Sequence, residues 1–270
     1  MSLITVNDVS KRFPLPDGKG EFSVLEDISL TISPGEVVAL LGRSGSGKST
    51  LLRIMSGLIG PSDGRVQFKG APLVGSNPNL AMVFQSFALL PWLNVQDNVE
   101  LGLAARHVER TERRERALKA IDIVGLDGFE NAYPKELSGG MKQRVGFARA
   151  FVLEPEVLFM DEPFSALDVL TAENLRGEID DLWNAGMFPS KSILIVTHNI
   201  EEAVFLADRI IVMTRRPGRI KEVLRPIEHM KDASVHWRSL PYDDVIRRQD
   251  FQDMRAHVWQ QVKSEIGDRH

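Results

Sequence analysis

The sequence predicts an α/β fold in which buried parallel strands alternate with helices. Short, almost wholly apolar runs such as VVALL, ILIV and IIVM have the length and composition of strands buried on both faces of a sheet. Segments with helical spacing separate these runs, which is the order that a parallel sheet requires. A small antiparallel sheet before this core and a helical insertion within it complete the expected architecture.

Composition and charge narrow the class of protein. The 270 residues are 43% hydrophobic and 26% charged, as in ordinary folded chains. A net charge of -4 gives no positive field for a polyanion, so we do not expect nucleic acid as a partner. The absence of cysteine excludes disulfides and thiolate chemistry. The apolar runs are strand-sized and the start lacks a signal-peptide pattern, so no membrane crossing is expected.

The first third of the chain predicts two sheets and a helix. LITVNDVSKRF and FSVLEDISLTI alternate apolar and polar residues, as in strands of a half-exposed sheet. GEVVALLG then predicts a buried strand, which leads through RSGSGKST into a helix with apolar spacing. GRVQFKG and AMVFQ, Ala81 to Gln85, predict two further short strands.

Helical patterning dominates from about residue 90 to 151, which predicts a helical subdomain inserted into the α/β core. In TERRERALKAIDIVGL, Thr111 is the expected N-cap, and Ala117, Ile121 and Val124 share one side. The α/β pattern resumes with the strand VLFMDEP, a helix from about Leu170 to Trp183, the strand SILIVTHN, a helix through IEEAVFLAD and the strand RIIVM.

The pattern divides the chain into a domain at 1-226 and a C-terminal extension at 227-270, expected to be helical in part. The extension carries an apolar stripe at helical spacing, formed by Val245, Met254, Val258, Val262 and Ile266. Three roles for the extension stay open on sequence alone: a regulatory tail, a support for a dimer, and a plain solvated helix.

The stretch GRSGSGKST, Gly42 to Thr50, matches the phosphate-binding pattern G-x-x-x-x-G-K-[ST] between a buried strand and a helix. Its glycines let backbone N-H groups converge on phosphate oxygens at a helix N-terminus. Lys48 supplies positive charge for the β and γ phosphates, and the Ser49 hydroxyl can bind Mg²⁺. The expected nucleotide contacts of this P-loop NTPase core are Gly42, Ser44, Gly45, Gly47, Lys48, Ser49 and Thr50.

Polar residues follow two of the buried strands, at the sheet edge where α/β proteins bind ligands. Asp161 and Glu162 end VLFMDEP, and strand alternation predicts that their side chains point to different sides. We assign Asp161 to Mg²⁺ and Glu162 to the general base that activates the attacking water. His198 ends SILIVTHN, where an imidazole can hydrogen-bond the γ phosphate or the water.

A second small-residue turn occurs in KELSGGMKQR, at Ser138, Gly139 and Gly140. One site already has its loop, metal ligand and base, so this turn is redundant within it. At the start of a helix, its N-H groups and the serine hydroxyl can hold a γ phosphate that a partner subunit presents. Two copies related by a two-fold axis then hold two nucleotides between them.

Six motifs in order resemble the ATPase subunit of ABC transporters over roughly residues 3 to 225: GRSGSGKST, Gln85, LSGGMKQR, MDEP, SALD and His198. The resemblance implies that Ser138 and Gly140 contact ATP across a head-to-tail homodimer, with Asp168 at the same interface. It implies that Gln85 senses Mg²⁺ and the attacking water. Phe13 either stacks on adenine or is a core aromatic.

Two stretches, FQSFALLPWLNVQDNV and FMDEPFSALDVLTAENLRGEI, are similar to importers of nitrate, sulfonate, taurine and bicarbonate. This implies a peripheral subunit at the cytoplasmic face of the inner membrane, paired with permease subunits that receive solute from an external solute-binding protein. Four residues either dock a permease helix or belong to the core, namely Phe87, Leu89, Leu90 and Trp92.

Three residues depart from the family pattern, and three rival functions each conflict with a feature of the sequence. Phe13 stands where tyrosine is commoner, Arg43 where proline often lies, and Asn199 where aspartate usually follows the histidine, and none removes a catalytic group. A soluble ABC-type ATPase of DNA repair or the ribosome usually needs a coiled-coil insertion or two ATPase units. A phosphotransferase or GTPase leaves LSGG without a role. A nucleotide-binding module without turnover leaves Glu162 without a role.

Overall fold

The computed structural model describes residues 2–16, 18–230, 237 and 240–264. The strands are β1 (Ile4–Pro14), β2 (Glu21–Ile32), β3 (Val37–Leu41), β4 (Asp63–Phe68), β5 (Ala71–Pro72), β6 (Leu80–Val83), β7 (Val157–Asp161), β8 (Ser192–Thr197), β9 (Arg209–Met213) and β10 (Ile220–Leu224). The helices are α1 (Lys48–Met55), α2 (Val95–Ala105), α3 (Arg110–Ile123), α4 (Gly139–Phe151), α5 (Val169–Asn184), α6 (Ile200–Leu206), α7 (Tyr242–Val245) and α8 (Gln249–Ser264).

The chain forms two compact units, which we call the first unit (residues 1–77 and 191–270) and the second unit (residues 78–190). The first unit contains an antiparallel sheet in the order β2-β1-β4-β5. Ile4 and Val6 are buried and Thr5 between them is only partly covered, as the period-two pattern predicts. The pattern breaks beyond Val6, where the register with β2 shifts before Val9, which is also buried. In the same ladder Phe13 lies opposite Phe22.

The first unit also contains the strands β10-β9-β3-β8 in that order. β3 pairs in parallel with β8 and β9, whereas β10 joins β9 antiparallel. Every residue of β3 and β8 is buried, which explains why both sequences are apolar without alternation. Each of these two strands leads, after a short turn, into a helix: β3 into α1 and β8 into α6.

The second unit pairs β6 in parallel with β7 and contains α2 to α5. Aromatic rings pack in its core, where Phe151 meets Phe188 edge-on with ring centroids 4.9 Å apart. The helices α2, α3 and α4 account for the predicted helical segment at about 90–151. The domain boundaries proposed from the sequence stay a prediction.

Two local expectations need correction. The N-cap of α3 is Glu109 rather than Thr111, because the Glu109 carboxylate accepts the N-H groups of Thr111 and Glu112. These hydrogen bonds, above all the one from Thr111, lower the pKa of Glu109. The strand predicted to reach Gln85 ends at Val83.

The C-terminal apolar stripe does not lie on one helix. Val245 belongs to α7, and a turn at 246–248 separates it from Met254 and Val258 on α8. These three side chains are fully buried, whereas Val262 is only partly covered. Ile266 lies outside the described residues.

Candidate functional site

The predicted phosphate loop connects β3 to α1 in the first unit. Gly45 and Gly47 have φ values of 82° and 86°, a left-handed conformation that favours glycine. Gly47 is the N-cap of α1 and no side chain caps this end of the helix. Successive N-H groups at an uncapped helix start form the kind of concave site that binds phosphate.

Lys48 is folded against this loop. Its side chain is 5% exposed, and its Nζ donates to the carbonyl oxygens of Gly42 at 2.7 Å and of Arg43 at 3.1 Å. The ammonium is thus held at the loop by carbonyl groups whose hydrogen bonds a phosphate oxygen can replace. Ser49 and Thr50 follow in the first turn of α1, and Ser44 is exposed at the tip of the loop.

The turn between β9 and β10 packs directly against the phosphate loop. A Cβ on Gly218 would lie 2.1 Å from the carbonyl oxygen of Ser46, and a Cβ on Gly42 3.0 Å from that of Met213. Gly218 also exchanges backbone hydrogen bonds with β2, accepting from Glu26 and donating to Val24. Both glycines are therefore required for close approach of two backbones.

The same turn carries Arg216, which sequence reasoning missed. Its guanidinium lies over the Phe22 ring at 5.8 Å and 3.9 Å from where a Cβ of Gly45 would stand. The available signal was RRPGRI, a Pro-Gly turn that directly follows the last buried parallel strand. The predicted adenine-stacking residue Phe13 lies opposite Phe22 and is 38% exposed, so it is a surface ring rather than a core aromatic.

The predicted carboxylates lie in the second unit. Asp161 is buried at the end of β7, and Glu162 follows in a left-handed conformation with φ 46°. Strand alternation does not apply to Glu162, because β7 ends at Asp161. That the two side chains point to different sides stays a prediction. Gln85 Nε2 donates to Glu162 Oε2 at 3.2 Å and to Ser165 Oγ at 3.3 Å. The structure thus brings Gln85 and Glu162 together.

His198 follows β8 in the first unit and is exposed. The residues around it are fixed by a cap: Asn199 accepts the N-H of Glu202 at 3.2 Å, and Thr197 Oγ1 accepts the N-H of Asn199 at 3.0 Å. Thr197 also donates to the Glu202 carboxylate. Asn199, which departs from the family pattern, therefore serves as the N-cap of α6.

The second small-residue turn opens α4, as predicted. Ser138 is the N-cap, and its Oγ accepts the N-H of Met141 at 3.2 Å. Gly139 and Gly140 form the first turn. A Cβ on Gly140 would lie 2.6 Å from Thr171 Cγ2, so the glycine is needed for this contact.

Thr171 connects this turn to Asp168. Asp168 is the N-cap of α5 and accepts the N-H of Thr171 at 3.0 Å and its hydroxyl at 2.7 Å. The side-chain hydrogen bond from Thr171, followed by that from its N-H, lowers the pKa of Asp168. The two predicted interface motifs, SGG and SALD, are therefore neighbours through Thr171, which sequence reasoning did not single out.

The candidate permease-docking residues occupy the segment after Gln85. Phe87, Leu89 and Leu90 are partly covered, whereas Trp92 is 69% exposed. Arg149 holds the segment by donating to the carbonyl of Phe87 at 2.9 Å and to that of Ala88. Burial lowers the pKa of this guanidinium.

A buried strand, a glycine loop with left-handed residues and an uncapped helix start define a P-loop nucleotide-binding protein. The family model described as ABC transporter matches residues 25–165. The chain belongs to this family and is an ATP-binding, ATP-hydrolysing subunit of the ABC type. Among the described residues, no helix is both long and apolar enough to span a bilayer.

Two curated relatives and one solved structure show which ABC proteins this chain is similar to. The chain is 44% identical to the bicarbonate transport ATP-binding protein CmpD of Synechocystis, over 83% of this chain and 78% of that one. It is 46% identical to the nitrate import ATP-binding protein NrtD of Synechocystis, over 76% of each chain. The fold matches a dimeric, post-hydrolysis state of the ATP-binding cassette MJ0796 bound to ADP and Pi, with a TM-score of 0.72 and 31% identity. The match covers 83% of this chain and 98% of that one.

Proposed function

We propose that this chain is the ATPase subunit of an importer that takes up a small anion such as nitrate, bicarbonate, a sulfonate or taurine. The observation that carries the proposal is the 44% and 46% identity to relatives named for bicarbonate transport and nitrate import. The full set of family motifs in the sequence supports it as well. The solute itself contacts the permease and the binding protein, so its identity is not encoded in this chain.

In this proposal the phosphate loop binds the triphosphate of ATP. The N-H groups of Gly45 and Gly47 and the ammonium of Lys48 bind phosphate oxygens, and Phe13 stacks on adenine. Arg216 adds positive charge beside Gly45, and its stacking on Phe22 links the loop to the adenine platform. The exposed rings of Phe13 and Phe22 support this placement.

Mg²⁺ would be held by few protein ligands. Ser49, Asp161 and Gln85 supply a hydroxyl, a carboxylate and an amide oxygen, the hard oxygen donors that Mg²⁺ prefers. Among the described residues, no cluster of three histidines or carboxylates could form a dedicated metal cage. This donor set fits Mg²⁺, which usually keeps waters and binds substrate phosphates, and which supplies charge neutralisation when bound.

Hydrolysis is assigned to Glu162 as the general base that takes a proton from the attacking water. The hydrogen bond from Gln85 orients the Glu162 carboxylate, which supports a shared role in placing that water. His198 donates a hydrogen bond to the γ phosphate or the water. The three residues thus bind, orient and move a proton without forming a covalent intermediate.

The SGG turn serves a second copy of the chain in this proposal. Ser138, Gly139 and Gly140 contact the γ phosphate of ATP bound to the partner subunit, and Asp168 lies at the same interface. ATP that bridges two subunits favours the closed dimer, and hydrolysis removes that preference.

The dimer drives an integral-membrane permease from the cytoplasmic face of the inner membrane, with an external solute-binding protein as the indirect partner. The exposed Trp92 and the partly covered Phe87, Leu89 and Leu90 are the proposed docking surface. The rival, a soluble ABC-type ATPase without a permease, has no sequence feature in its favour.

The test replaces the native gene by a Glu162→Gln variant and measures uptake of isotope-labelled nitrate, bicarbonate and taurine. We expect uptake of one of these solutes to be lost, while a Glu173→Gln control on the exposed face of α5 keeps it. The soluble rival would be favoured by three results together: the wild-type chain hydrolyses ATP, the Glu162→Gln strain takes up all three solutes as the wild type does, and no permease is cross-linked to the chain.

A further inference from the structure

The described residues of the C-terminal segment, which we define as 226–230, 237 and 240–264, pack against the rest of the first unit, of which they are a part. Five of its side chains are fully buried: Trp237, Val245, Phe251, Met254 and Val258. The rings of Trp237 and Phe251 meet edge-on with centroids 5.1 Å apart. This burial excludes the plain solvated helix that the sequence left open.

The segment contacts α6 at one carboxylate, that of Glu201. The Tyr242 hydroxyl on α7 donates to Glu201 Oε1. Arg255 on α8 donates to Glu201 Oε2 at 3.2 Å. The Tyr242 ring also stands at 89° to Phe205 of α6, with centroids 5.0 Å apart. Two helices of the segment therefore hold the two oxygens of one side chain.

Glu201 lies in the first turn of α6, three residues after His198. The intervening backbone has little freedom, because Asn199 caps the helix and Thr197 accepts the Asn199 N-H. His198, Glu201, Arg255 and Trp259 also line one cleft of about 810 Å³ between α6 and α8. Glu201 therefore lies near His198 both along the chain and in this cleft, with a hydrogen-bonded helix start between the two residues.

We propose that Tyr242 and Arg255, acting through Glu201, position His198 for ATP hydrolysis, so that the C-terminal segment sets the turnover rate. This inference rests on the proposed role of His198 at the γ phosphate. Glu201, Tyr242 and Arg255 are positioning residues, because their proposed effect on hydrolysis acts through His198.

The exposure of the ion pair argues against a mainly stabilising role. Arg255 is 45% and Glu201 31% exposed, and such pairs contribute little to folding stability because water screens them. Their value lies instead in fixing the orientation of the first turn of α6. A change in turnover without a matching change in unfolding is therefore the signature to look for.

The experiment uses the full chain with Tyr242→Phe, which removes one hydroxyl and keeps the ring on Phe205. We expect kcat for ATP hydrolysis to fall about fivefold to tenfold, with KM within about twofold, because the change affects positioning rather than binding. A matched pair tests the carboxylate: Glu201→Gln should lower kcat, whereas Glu222→Gln, which loosens the contact of α8 with β10 through His257, should not.

A double-mutant cycle separates positioning from general destabilisation. In a His198→Ala background, measured by single turnover, Tyr242→Phe should have no further effect, because residues that act as one unit are not additive. Hydrogen exchange at the 199–202 amides should rise in Tyr242→Phe and Glu201→Gln but not in Glu222→Gln.

The outcomes distinguish the inference from the proposed function. If His198→Ala lowers turnover while Tyr242→Phe and Glu201→Gln do not, only the positioning by the C-terminal segment is overturned. An equal loss from Tyr242→Phe in both backgrounds also overturns it. If His198→Ala leaves turnover unchanged, the role of His198 fails, and the inference fails with it.

Discussion

The two small-residue turns of this chain open helices in different ways. At α1 the N-cap is Gly47, which is left-handed and has no side chain to cap the helix start. At α4 the N-cap is Ser138, which closes the helix end by accepting the Met141 N-H. The first turn therefore has the open backbone of the proposed phosphate site, whereas the second is a capped helix end that still has a hydroxyl proton to donate.

This difference explains why each turn suits its proposed partner. The phosphate loop must hold nucleotide in a single subunit, and the backbone of the β9–β10 turn supports it at Gly218. The SGG turn needs to recognise phosphate only when a second subunit presents it. Its cap keeps α4 intact before that encounter, and one donated hydroxyl hydrogen bond completes the contact.

The largest expected effect comes from Glu162→Gln, which should stop turnover and leave both turns intact. Removing the general base should lower kcat by about a thousandfold. ATP binding should persist, and a stable ATP-dependent dimer should accumulate, visible by size-exclusion chromatography with light scattering. Glu173→Gln is the matched control, since Glu173 is exposed on α5. Robust hydrolysis by Glu162→Gln would show that another group is the base.

Lys48→Ala should have the next largest effect, and it acts on the first turn alone. Losing the ammonium should weaken ATP binding by about a hundredfold, because charge-assisted hydrogen bonds to phosphate are lost. Isothermal titration on the monomeric chain measures this directly, with Lys119→Ala, exposed on α3, as control. Unchanged affinity would show that the glycine loop binds nucleotide without this residue.

Sequence reasoning succeeded where a short stretch determines its own structure. The phosphate loop needs left-handed glycines between a buried strand and a helix, and each of these features is local. The SGG helix start was likewise predictable, because a serine N-cap acts within three residues. The geometry at Glu162 was not, since a left-handed glutamate has no sequence signature.

Contacts between distant residues escaped the sequence. Tyr242 and Glu201 are 41 residues apart, and nothing in either local pattern indicates that they meet. In the same way, Thr171 beside SALD packs against Gly140 of SGG, although 31 residues separate Thr171 from Gly140. Such pairings depend on how whole helices pack, which periodicity alone does not specify.

A complementation assay tests whether the two turns act in separate subunits. Ser138→Arg should block the site of the partner, whereas Lys48→Ala blocks the site of its own chain. Mixed dimers of these two inactive variants then contain one intact site, so roughly a quarter of wild-type single-turnover hydrolysis should return on 1:1 mixing. No recovery, in dimers whose formation is confirmed by cross-linking, would contradict a site shared between subunits.

The smallest expected effect distinguishes two roles of the Ser138 hydroxyl: capping α4 and donating a hydrogen bond to the partner's phosphate. Ser138→Ala removes the cap and should lower the free energy of unfolding by about 1 kcal/mol, measured by urea denaturation. Ser138→Asp keeps an acceptor for the Met141 N-H but has no proton for a phosphate, so it should retain stability and still lose ATP-dependent dimerisation. If both variants dimerise like wild type, the hydroxyl is only a cap, and the partner phosphate must be held by the N-H groups of Gly139 and Gly140.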